Sequence, residues 1–152
     1  MKNNITFLIS GLQGGGAEKI CTVLANGFVE NNISVDLIVL SLENAKLLKQ
    51  LDSRVNLINL NTTNARKSFF ALKNYIKNSN CKKFLVFNFQ LAVVLVMIRI
   101  LFNFDYKIIS RNVTTLSKHK EHIGSFWHSV VVDFLVKKFY YKVDHLIAQC
   151  KG

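Results

Sequence analysis

Proline is absent from these 152 residues, and acidic side chains are scarce. Without proline there is no rigid Pro-rich linker, and no Gly/Ser-rich linker or internal repeat divides the chain. One domain over residues 1–152 is the expectation, long enough to bury a real core. Cysteine is limited to Cys21, Cys81 and Cys150, widely spaced and odd in number. No Cys-x-x-Cys or Cys/His grouping occurs, which leaves a zinc site or disulfide framework unsupported and favours reduced thiols in a cytosolic compartment. His119, His122 and His128 match no metal-ligand spacing. The apolar run after Lys2 breaks at Gly11, too short for a secretory signal. Nine Asp and Glu stand against twenty Lys and Arg, a net charge of +11. That balance points to an anionic partner: a membrane surface, nucleic acid or a phosphorylated substrate. For nucleic acid there is neither an aromatic-basic RNP pattern nor a recognition-helix signature, so none is expected.

What is present is concentrated near the N-terminus. Ile5-Thr6-Phe7-Leu8-Ile9 reads as a strand, and Ser10-Gly11-Leu12-Gln13-Gly14-Gly15-Gly16 as the turn into a helix. A strand, a glycine turn and a helix N-terminus present backbone N–H groups to an anion. Consecutive glycines at 14–16 leave no Cβ where a phosphate or sugar would approach. Gly11 and Gly16 have Walker A spacing, but Ala17 and Glu18 follow where Lys and Ser or Thr are required. Gly14 and Gly16 begin a dinucleotide fingerprint that fails at Lys19, and Glu43 only approximates its ribose-binding acid. A nucleotide-dependent oxidoreductase therefore stands as an alternative with an incomplete motif. A plain tight turn without a ligand is another.

Apolar and helical segments then alternate along the chain. Ala17, Ile20, Cys21, Leu24, Ala25 and Phe28 place an amphipathic helix over 17–31. Strands are expected at 35–40, 55–60, 84–87, 106–110 and 145–148, with helices near 45–51, 67–78, 91–102 and 126–142. The apolar stretch 84–104 contains Asn88, Gln90 and Arg99, so a buried strand and helix are expected instead of a membrane span. Repeated β-α units with continuous apolar strands imply an α/β fold: a Rossmann-like parallel sheet with helices on both faces. Ligands bind such sheets at the carboxyl ends of the strands, which selects Gly11–Gly16, Asn88–Leu91 and Ser110–Thr114 as one rim. Aromatic bulk around Trp127, running into Lys137, Lys138 and Lys142, suits a helix lying on anionic lipid. A core helix with a basic C-terminal end explains the same residues.

Taken together, Leu8-Ile9-Ser10-Gly11-Leu12-Gln13-Gly14-Gly15-Gly16-Ala17-Glu18-Lys19-Ile20 resembles the opening of family-4 glycosyltransferases of the GT-B class. The resemblance continues in Asn32–Leu37 and Ile108–Asn112, and ends at Asp144–Cys150, so it spans the chain. It implies the N-terminal, acceptor-side half of a GT-B fold. The implied activity moves a sugar from a nucleotide sugar to an acceptor, often a lipid-linked saccharide at the inner face of the membrane. No cofactor is implied, the nucleotide sugar being a substrate. The C-terminal donor-binding domain, which carries that family's paired glutamates, has no counterpart here, and the half alone is expected to be inactive. Many relatives have a histidine after the fourth or fifth strand; here those places read Asn88-Phe89-Gln90 and Arg111-Asn112, and Cys150 replaces a usual serine. Under this resemblance the N–H groups of Gly14, Gly15 and Gly16 cradle a diphosphate or a sugar hydroxyl. Glu18 accepts from a sugar hydroxyl or serves only its own helix end. Arg111 pairs with phosphate oxygens or is a plain surface arginine. Asn88 and Asn112 are weaker binding candidates, and no catalytic residue is assigned.

Overall fold

The structure, a computed structural model, describes residues 4–112 and 138–148. Six strands form one fully parallel sheet: β1 (Asn4–Ile9), β2 (Ser34–Val39), β3 (Asn56–Asn59), β4 (Lys83–Val86), β5 (Lys107–Asn112) and β6 (His145–Ala148). Their spatial order is β3-β2-β1-β4-β5-β6, the order of doubly wound sheets. Among the described residues three α-helices cover it: α1 (Gly16–Glu30), α2 (Phe69–Asn78) and α3 (Phe89–Phe102). The expected Rossmann-like α/β architecture is the one observed. None of the helices among the described residues is long and apolar enough to cross a membrane.

The alternation of side chains along each strand produces two cores. On one face Leu8, Ile38, Phe84, Val86 and Ile108 pack under α2 and α3. On the other Phe7, Ile9, Leu37, Val39 and Leu85 pack under α1. α1 buries only Cys21, Thr22, Ala25 and Val29, one stripe at helical spacing, and ends where Asn32 turns left-handed at φ 60°. α3 buries seven residues between Leu91 and Ile98, because it has the sheet on one side and α2 on another. This accounts for the apolar stretch 84–104 as a strand and a packed helix. Arg99 does not interrupt that helix. It donates to the carbonyls of Tyr106 (3.1 Å) and Lys142 and to Asp144 Oδ2 (2.5 Å).

A polar row crosses the sheet beneath α2. Thr6 and Asp36 are register partners, as are Asp36 and Asn56. Tyr75 donates to Asp36 Oδ2 at 2.5 Å and lies 2.9 Å from Thr6 Oγ1, while Asn56 Nδ2 donates to Asp36 Oδ1 at 2.8 Å. Burial, then the bond to Asp36, pushes the Tyr75 hydroxyl well above its ordinary pKa, so it stays a donor. The segment expected as a short helix at 45–51 is a 3-10 turn, Lys46–Gln50. β5 begins one residue later than expected, because the Tyr106 hydroxyl turns inward to the Leu95 carbonyl at 2.6 Å, and it runs on to Asn112 by pairing with β6. Of the helix expected at 126–142, only its end falls within the described residues, closing in a 3-10 turn at Tyr140–Lys142.

Candidate functional site

A cavity of about 540 Å³ opens at the carboxyl ends of β1, β2, β3 and β4. β1 and β4 are neighbours in space but not in sequence, and the crevice between such strands is where doubly wound sheets take ligands. Its volume lies in the range of small-molecule sites. Four connecting segments build its walls. Ser10, Gly11 and Gln13 come from the glycine turn, with Glu18 behind them; Leu40, Ser41 and Glu43 follow β2. Asn61–Ala65 follow β3, and Asn88 and Gln90 open α3.

Backbone hydrogen bonds hold these walls to the sheet. The Leu40 and Ser41 N–H groups both donate to the Ser10 carbonyl, Thr62 N–H donates to Leu40 O at 2.8 Å, and Leu47 N–H donates to Leu12 O at 3.0 Å. A Cβ at Gly11 would stand 3.3 Å from the Ser41 carbonyl, so glycine permits the close approach of the first two loops. Asn44 and Asn61 both sit at positive φ, where asparagine is among the few tolerated side chains. Asn61 is further held by Asn59, whose Oδ1 accepts its N–H at 3.0 Å.

Each helix that opens on the cavity is capped by this chain's own side chains. Asn88 Oδ1 accepts the Gln90 N–H at 2.8 Å, and its Nδ2 donates to Ser10 Oγ at 2.9 Å, which ties α3 to the end of β1. At α1, Glu18 is the third helical residue and reaches back. Its Oε2 accepts from Gly14 N–H at 2.5 Å and from Gly15 N–H at 2.9 Å. Gly14 has φ +122°, a conformation that turns its N–H toward that carboxylate and that only glycine adopts freely. The N–H groups expected to cradle a diphosphate are thus occupied, at Gly14 and Gly15, by an internal anion. A Cβ on Gly16 would meet nothing within 4 Å, so its lack of a side chain serves no internal packing.

The rim expected from sequence is only partly assembled. The glycine turn and Asn88 meet at the cavity, joined by the two loops after β2 and β3. Arg111 does not line it. Strand alternation sets Arg111 on the face of Ile109, the α1 side, with its guanidinium carbon 6.0 Å from the Phe87 ring centre. There its charge opposes burial and the Glu18 carboxylate, which together push the Cys21 thiol far above its ordinary range. Asn112 is the last residue of β5, with its backbone in register with Ala148. Thr114, Trp127 and Lys137 lie outside the described residues, and Lys138 is exposed. Cys21 and Cys81 are buried free thiols, and no group of His, Cys, Asp or Glu able to hold a metal occurs among the described residues.

Sequence reasoning missed the Asn61-Thr62-Thr63-Asn64 run as part of the site. Its signal was there: four consecutive hydrogen-bonding residues directly after an apolar strand. No protein-family model matches the chain, and no curated protein matches it.

Proposed function

We propose that this chain is the acceptor-side domain of a sugar-transferring enzyme of the GT-B type, and that the cavity holds a saccharide. The observation that carries the reading is the cavity's lining. Hydroxyl and amide side chains from four loops converge at the carboxyl ends of a doubly wound sheet, beside a glycine-rich turn. Such groups both donate and accept, matching a ring of hydroxyls that does the same. The nucleotide-sugar donor, in this reading, is held mainly by a second nucleotide-binding domain, with Arg111 and the Gly16 N–H on the side facing it. No protein base is required if the departing phosphate takes the acceptor's proton.

The acceptor is proposed to be lipid-linked, with the domain peripheral at the inner face of an anionic membrane. Charge supports this. Between Asp52 and Asp105 there is no acidic residue, while Arg54, Arg66, Lys67, Lys73, Lys77, Lys82, Lys83 and Arg99 fall there. Lys73 lies 4.4 Å from the centre of the Phe102 ring, beside exposed Phe70 and Leu101, a basic and aromatic flank suited to lipid head groups.

A sugar-transfer assay on membranes tests the reading, with the chain alone and extended by its downstream coding sequence. Transfer by the extended form, and its loss on truncating the lining side chains Asn88 and Thr62 to alanine, is the expected result. No transfer by either form, with tight binding of a dinucleotide instead, would replace the proposal by an oxidoreductase.

A further inference from the structure

We infer that the cavity selects by charge, accepting a neutral or amino-bearing sugar ring and rejecting rings that carry a carboxylate or a phosphate. This deepens the saccharide reading above and rests on it. The chain carries +11 overall, yet among the described residues its cavity is lined by two carboxylates, Glu18 and Glu43, and by no Lys, Arg or His. Arg66 and Lys67 follow the lining segment directly in sequence but form no part of the wall. An anion placed here would meet like charge with no cation among the described lining residues to offset it.

The two features that ordinarily draw anions to such a site are partly engaged by this chain's own side chains. The α1 N-terminus has its Gly14 and Gly15 N–H groups on Glu18, and the α3 N-terminus has its Gln90 N–H on Asn88. A phosphate at the Gly14 and Gly15 N–H groups would have to displace a carboxylate held within the same chain, an exchange of one anion for another that releases no net favourable charge contact.

What remains open is acceptor capacity. Among the described residues, nothing donates to Glu18 Oε1 or to either carboxylate oxygen of Glu43. A ring hydroxyl or ammonium arriving in the cavity can satisfy these carboxylates. Hydroxyl donors of a neutral ring suit all of these; an ammonium suits Glu18 and Glu43 most strongly.

The test is an amide-shift titration of the chain with matched rings that differ only in charge. The probes are glucose, glucosamine and glucuronate, their galacto and manno counterparts, and inorganic phosphate. Neutral and amino rings are expected to shift the amides of Gly14, Gly15, Thr62 and Thr63. The matched uronates and phosphate should bind about tenfold more weakly at low salt, and Glu43→Lys should shrink the amino-over-uronate preference about fivefold. Glu43 is exposed, so that variant leaves the fold intact. A uronate or phosphate that binds as well as its neutral partner at those amides overturns the charge rule while leaving the saccharide site standing. Failure of every ring to shift them overturns both.

Discussion

α1 and α3 both leave the carboxyl edge of the same sheet and both border the cavity, yet they are stabilised in opposite ways. α1 rests on the sheet by a single stripe and starts on a glycine turn clasped by its own Glu18. α3 is enclosed by the sheet and α2, starts on an asparagine cap and is clamped at its far end by Arg99. The difference comes from position: α3 lies over the middle of the β4–β5 half with a helix beside it, and α1 shares its face chiefly with the Lys46–Gln50 turn. One wall of the cavity therefore belongs to the rigid core, and the other to a turn whose shape depends on two hydrogen bonds.

The largest way to break this contrast is a matched pair of truncations. Leu95, fully buried in α3, should lose about 3–4 kcal/mol on mutation to alanine, because the enclosed site cannot collapse around the cavity it leaves. Leu24 of α1 is only partly buried, and its alanine variant should cost about 1 kcal/mol. Denaturant midpoints measured on both variants decide it; equal losses would show that α1 is as enclosed as α3.

Next in size is the clamp. Arg99→Ala removes the donor from two carbonyls and leaves the Asp144 carboxylate on the Ile108 N–H, and should cost about 2–3 kcal/mol. Burial raises the Asp144 carboxyl, but the Ile108 N–H at 2.8 Å and Arg99 outweigh it and hold its pKa below the ordinary range. A carboxylate depressed in the folded state adds stability that is present above its unfolded pKa, about 4. That contribution disappears as the pH falls below this value through the folded one. Unfolding titrations from neutral pH downward should show this acid-sensitive component in the parent and a smaller one in Arg99→Ala.

The smallest effects separate two glycines of the same turn. Gly14→Ala forces a side chain into φ +122° and should cost about 1–2 kcal/mol, loosening the Glu18 clasp. Gly16→Ala meets no obstacle at the first helical position and should stabilise by about 0.5 kcal/mol. If Gly16→Ala gains stability but weakens sugar transfer in the extended protein, that glycine is there for a ligand and not for the fold.

Much of this was legible in the residues. β1, β2, β4 and β6 are mostly apolar runs with turn residues between them, and the 3.6-residue spacing of Ala17 to Phe28 announces α1. Asn88 was legible as a rim residue because it follows an apolar strand. Arg111 satisfies the same rule, but the parity of β5 turns it to the α1 face, and parity depends on register with a neighbour. The 3-10 turn at 46–50 carries the sequence pattern of a short helix, because the two share their local spacing over so few residues.

The sequence alone determined the α/β class, the alternation of strands and helices, and the place of the glycine turn, since each depends on neighbours a few residues apart. Only the tertiary structure decided that Glu18 fills the N–H groups of that turn. Only it brought Asn61–Asn64 and Glu43 to the same cavity, and left a basic protein with a pocket that no cation among the described residues lines. These depend on which strand lies beside which, and the order β3-β2-β1-β4 is set by how the two cores bury their apolar area, not by any short stretch of residues.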